Sequence, residues 1–184
     1  MAKKGSNVNT LQQKNLIVST YKEIFIFGAL NRLDALNTLF KEITIPQAVL
    51  EELQKKLSPE NVMILLHRIN AQEKFRIIET DKNTEYFSKE YALTKAEAQA
   101  FSIAATSEQA LLSINCEENT DNMAAAALLD VVFWNNILGW IFEKDLISKA
   151  EAQKCIKIVK SKNLAEDSMI LTMLDLIYNA MPGR

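Results

Sequence analysis

Apolar residues along this chain follow two rhythms. Short unbroken runs, Leu16-Ile17-Val18 within Asn15 to Thr20 and Ala110-Leu111-Leu112-Ser113-Ile114, are too brief for a helix and read as strands buried on both faces. Glu42-Ile43-Thr44-Ile45, Phe75 to Glu79 and Val131-Val132-Phe133 are β-prone and add three more strands. Between the first two strands, Ile24, Phe27, Leu30, Leu33, Leu36, Leu39 and Phe40 recur at helical spacing, with a break between Gly28 and Asn31 that predicts two helical pieces.

Helix starts are marked by chemistry as well as period. Pro46 ends a strand and suits the first turn of a helix over about 47–56. Ser58-Pro59-Glu60 opens another through about Ala71, because serine caps, proline fits the first turn and a carboxylate favours the positive helix end. Thr94-Lys95-Ala96-Glu97 is a capping box, followed by Ala98, Ala100, Ile103, Ala104 and Ala105, small enough to let the helix lie close on a sheet. A helix is expected over 123–129, another from Asn135 or Asn136 to about Glu143, a third behind a second capping box at Ser148-Lys149-Ala150-Glu151, and a leucine and isoleucine stripe over 166–180.

Strands alternating with helices predict a parallel sheet covered on both faces, with chemistry gathered at the carboxyl ends of the strands. Those ends fall at Ser19 and Thr20 and at residues 115–118. Residues 1–14 are polar and are expected to be a disordered leader, with 15–184 forming one domain whose C-terminal part is helical.

Composition supports that reading. With 48% hydrophobic residues, four glycines and three prolines in 184 residues, the chain suits one helix-rich domain with short connections. The net charge of -2 supplies no global basic field, so nucleic-acid binding would need a local patch. Cys116 and Cys155 lack any metal-ligand spacing and suit a reducing compartment. No apolar run approaches the ~20 residues of a membrane span, so a cytoplasmic protein without membrane contact is expected.

Leu16-Ile-Val-Ser-Thr20, then Arg32-Leu-Asp-Ala-Leu36, then Ile45-Pro-Gln-Ala-Val-Leu-Glu-Glu-Leu53, resemble in order and spacing the first third of a PIN domain. Leu93-Thr-Lys-Ala-Glu97-Ala-Gln-Ala-Phe-Ser-Ile-Ala is similar to that family's central acidic helix, Leu111-Leu-Ser-Ile-Asn-Cys116 to its fourth strand, and Asn136 to Ile147 to its closing helix. The resemblance covers most of residues 15–180 and implies a three-layer α/β/α fold, a small central parallel sheet surrounded by helices.

PIN nucleases gather carboxylates around Mg²⁺ or Mn²⁺, hard cations that take oxygen ligands, to activate water against an RNA phosphate. The resemblance places two of those carboxylates at Glu52 and Glu97, which become the candidate metal ligands and, with Glu117, the candidate catalytic residues. It also places neutral residues where the family has acids: Thr20 ends the first strand, and Asn115 or Cys116 ends the fourth, with Glu117 and Glu118 just beyond. A small register shift would let Glu117 substitute.

Each residue also has a plainer meaning. Glu97 closes the capping box with Thr94, Glu52 can pair with Lys55 or Lys56 on its own helix, and Glu117, Glu118 and Asp121 suit a solvated loop or an acidic first helical turn. His67 has no companion for a triad or metal site and is expected at the surface, whereas Trp134, Trp140, Phe133 and Phe142 are expected in the core or at a subunit contact. Lys154, Lys157, Lys160 and Lys162 read as a solvated helix face that could also touch phosphates. Two functions therefore compete. One is a binding module with a degenerate site, holding RNA, a partner protein or a second copy as a homodimer. The other is a toxin-like Mg²⁺- or Mn²⁺-dependent endoribonuclease whose acidic pocket an antitoxin-like partner blocks.

Overall fold

The computed structural model of the protein describes residues 11–80, 82–114, 128–164, 170, 171, 174 and 175. Five parallel strands form one sheet in the order β3-β2-β1-β4-β5: β1 Asn15–Val18, β2 Glu42–Pro46, β3 Phe75–Ile78, β4 Ala110–Ile114 and β5 Val131–Phe133. Among the described residues eight helices accompany them: α1 Lys22–Leu30, α2 Asp34–Leu39, α3 Gln47–Lys56, α4 Pro59–Asn70, α5 Thr84–Glu90, α6 Lys95–Thr106, α7 Trp134–Glu143 and α8 Lys149–Ser161. The three-layer α/β/α arrangement expected from the alternation is the one observed.

β1, β2 and β4 are buried because both faces of the sheet carry helices there, and alternation along each strand divides the core in two. Leu16 and Val18 of β1 point to the side of α1, α2, α7 and α8, together with Ile43, Ile45 and Leu111. Ile17, Leu112 and Ile114 point to the other side, where α5 and α6 cover them with Phe87, Phe101 and Ile103. Phe27, Phe40, Phe101, Phe142 and Trp134 are at most 1% exposed, and each such burial contributes on the order of 2–3 kcal/mol. Trp134 and Phe142 are therefore core groups, as expected, and His67 is exposed.

Local chemistry sets most boundaries. α1 stops at Asn31, whose left-handed φ of 58° ends the helix and divides it from α2, within the break expected from the periodicity. Ser58 caps α4 by accepting the Asn61 N–H, with Pro59 in the first turn. Both capping boxes close as their sequences predict. α5 was not anticipated: only Phe87 of its residues is buried, so no apolar stripe announces it. The helix expected over 123–129 and the stripe over 166–180 lie largely outside the described residues.

The strand order reverses at β1, which has β2 on one side and β4 on the other. In an open parallel sheet the connections leave in opposite directions at such a point and open a crevice beyond the carboxyl ends of the strands. Val18 pairs with Ser113 in that position.

Candidate functional site

Four elements meet at the crevice: the β1–α1 turn, the end of β4, and helices α3 and α6. Gln99, 1% exposed, fixes the two helices relative to each other by accepting the Ala48 N–H of α3 at 3.0 Å. That bond satisfies one of the free amides of the α3 first turn from a neighbouring helix. At the surface Lys95 of α6 pairs with Glu51 of α3 at 3.1 Å.

This docking brings Glu52 and Glu97 together. Burial raises the pKa of the half-buried Glu52 above the ordinary glutamate value, and the charge of Glu97 raises it further, against Lys55 and Lys56. The Tyr21 phenol lies in the same field: burial raises it first and Glu52 second. Glu97 is already engaged, since its Oε2 accepts the Thr94 N–H at 2.9 Å and the Thr94 hydroxyl at 2.8 Å. The plain capping role and the candidate site role thus fall on one side chain.

Thr20 and Ser19, at the end of β1, are 3% and 2% exposed. The Thr20 Oγ1 accepts the Lys22 N–H in a long 3.4 Å contact, and the Ser19 hydroxyl donates to the Ser113 carbonyl at 2.5 Å. Lys22 itself sits over the Trp134 ring, 5.4 Å from its centre. Asn115, Cys116, Glu117 and Glu118 lie outside the described residues.

The comparison of the chain with protein-family models decides the family. A model described as a PIN domain matches residues 16–169. The chain belongs to the PIN-domain family. Its first strand from Leu16 onward, its acidic helices and its closing helices fall inside that match. The curated proteins and the solved structures give no match.

Against the family's metal chemistry, the described part of this PIN domain fits poorly. Mg²⁺ demands near-octahedral oxygen ligation and Mn²⁺ likewise favours several hard donors. Here the described positions that the resemblance assigns to the metal site offer Glu52, a Glu97 whose Oε2 is held by its own helix cap, and a neutral, buried Thr20. Among the described residues no three His, Cys, Asp or Glu side chains gather closely enough to hold a metal ion.

One residue of the PIN domain's crevice escaped the sequence reading. Glu23, in the first turn of α1, is 0% exposed. Its Oε1 accepts the Ser113 hydroxyl at 2.5 Å, while Oε2 is buried with no hydrogen-bond partner among the described residues. Burial pushes its pKa up to about 7, with the Ser113 hydrogen bond, its own backbone amide and Lys22 opposing. A signal existed: Glu23, Phe27 and Leu30 follow the i, i+4, i+7 spacing of one helix face, and all three are buried.

Proposed function

We propose that this PIN domain is a binding module whose crevice no longer performs the metal-dependent RNA hydrolysis of the family. The observation that carries the reading is Thr20: 3% exposed at the end of β1, it supplies a neutral hydroxyl where the resemblance places the first aspartate. A hydroxyl is a weak ligand beside a carboxylate, and the loss of one charge from a small oxygen site lowers divalent-cation affinity steeply. The capping bonds of Glu97 reduce the set further. What remains is a half-buried crevice with a phenol, two adjacent carboxylates and neutral hydroxyls, suited to holding RNA, a partner protein or a second copy. The exposed lysines Lys154, Lys157 and Lys160 on α8 offer a separate surface for phosphates.

The mutual influence of Glu52 and Glu97 favours a second reading, an endoribonuclease that retains Mg²⁺ or Mn²⁺ on these two residues with help from Glu117. Calorimetric titration of Mn²⁺ into the protein, beside the Glu52→Gln, Glu97→Gln double variant, separates the two. The binding-module reading expects no micromolar Mn²⁺ binding in either protein and no metal-dependent cleavage of RNA. Micromolar binding that disappears in the double variant, with cleavage that disappears alongside, would replace it with the nuclease.

A further inference from the structure

An ionisable group enclosed between α1 and the end of β4, with one of its two oxygens unpartnered among the described residues, is an expensive feature for a core. An unsatisfied buried acceptor destabilises the fold, and the ionised form in the same place costs more. Methionine or leucine would fill a similar volume without that cost. Local rules broken in this way concentrate at sites that do something beyond folding.

The surroundings of Glu23 indicate what it can do. Its helix packs against α4, α7 and α8, and none of them brings a counter-charge to it. Arg68 of α4 donates instead to the Gly28 carbonyl at 2.6 Å, and Glu151 of α8 is bound to Arg32 at 2.9 Å. Cys155 of α8 is buried, and burial pushes its thiol up to about 12, so it stays neutral. From α7 comes the Trp134 ring, which holds the Lys22 ammonium. Lys22, next to Glu23 on α1, is the charged group that acts on it, and β4 presents only the Ser113 hydroxyl. Ser113 in turn holds Ser19 through two bonds to its carbonyl, from the Ser19 amide at 3.1 Å and the Ser19 hydroxyl. Glu23, Ser113 and Ser19 therefore form one chain of contacts that seats the β1–α1 turn, and with it Thr20 and Tyr21, at the edge of the crevice.

We propose that the Glu23 carboxyl is a proton-operated latch on this turn: protonated, it keeps Thr20 and Tyr21 seated against β4; ionised, it forces the turn open to hydrate its charge. The latch is independent of whether the crevice binds RNA, protein or metal. Its sign follows from linkage. The closed form holds its proton more tightly than a hydrated carboxyl with the ordinary value of 4.5, so closure is fully favoured below that pH and weakens as pH rises toward about 7.

Amide hydrogen exchange of residues 18–24, normalised to intrinsic exchange rates, reads the opening directly. Between pH 5 and pH 8 the opening constant is expected to rise on the order of 50-fold in the natural chain and to stay flat in Glu23→Gln, which keeps the shape and cannot ionise. An equal rise in both proteins, or none in the natural chain, would overturn the latch. A carbon NMR titration of the natural chain's side-chain carboxyls supplies a readout without any variant. One glutamate should titrate well above the rest, in step with the exchange, and an ordinary midpoint for Glu23 would also overturn the proposal.

Discussion

Six residues occur twice in this chain with one conservative change. Thr94-Lys95-Ala96-Glu97-Ala98-Gln99 opens α6, and Ser148-Lys149-Ala150-Glu151-Ala152-Gln153 opens α8. Both form the same cap: the carboxylate accepts the N-cap amide at 2.9 Å in α6 and 2.7 Å in α8, and the hydroxyl at 2.8 Å in each. Beyond the cap they part. Glu151 meets Arg32, which donates to both of its oxygens at 2.9 and 3.1 Å and joins α8 to the α1–α2 corner. Glu97 meets Glu52. Gln153 faces solvent, whereas Gln99 is buried and holds α3. The local sequence dictates the cap, and the tertiary neighbours decide whether the capping carboxylate becomes part of a structural clamp or of an acidic crevice.

The largest expected effect lies on the clamp. Arg32→Ala removes both bonds to Glu151, the one to the Leu146 carbonyl and the exposed pair with Asp34, and should lower stability by about 2 kcal/mol in urea unfolding at pH 7. Glu151 is held down to about 2, first by the Ser148 amide and then by Arg32. A depressed carboxylate stabilises the fold above its ordinary value of 4.5 and loses that contribution as pH falls toward 2, so the deficit of Arg32→Ala should shrink over that window. A double-mutant cycle with Glu151→Gln should return a coupling of about 1 kcal/mol, because the pair is only partly buried. A coupling near zero would mean that the clamp rests on the carbonyl bond alone.

Next in size are the caps themselves. Ser148→Ala and Thr94→Ala should each cost about 1 kcal/mol, the usual loss for a cap hydroxyl. Similar losses would show that the two boxes are equivalent as helix starts and differ only in their neighbours. A markedly smaller loss at Ser148 would show that Arg32 keeps Glu151 in place without the serine.

The same division explains what could be read in advance. Strands β1 and β4 were legible because unbroken apolar runs fit only a sheet covered on both sides, and α4, α6 and α8 because serine, proline and the Thr/Ser-to-Glu spacing act within one turn. The start of α7 at Trp134 precedes the expected asparagines because no side chain caps it. Glu52 and Glu97 came into view through the order of family-like segments, and the α3–α6 docking brings their charges together. Glu23 was missed for the opposite reason, although its spacing with Phe27 and Leu30 places it on a buried helix face. An acid in a first helical turn normally complements the helix dipole in solvent, and only the approach of β4 converts it into an enclosed group.

The smallest effect on stability is expected where the comparison is sharpest. Glu97→Gln keeps a side chain that can close the capping box, so stability should change by less than about 0.5 kcal/mol. Glu52 should nevertheless respond. Burial, the larger cause of its raised pKa, remains, while the charge of Glu97 is gone. An NMR titration of Glu52 should therefore show a midpoint that falls in the variant yet stays above the ordinary glutamate value. An unchanged midpoint would mean that the two carboxylates do not share the crevice. The acidic pair would then be a by-product of two helices capped and docked for structure alone.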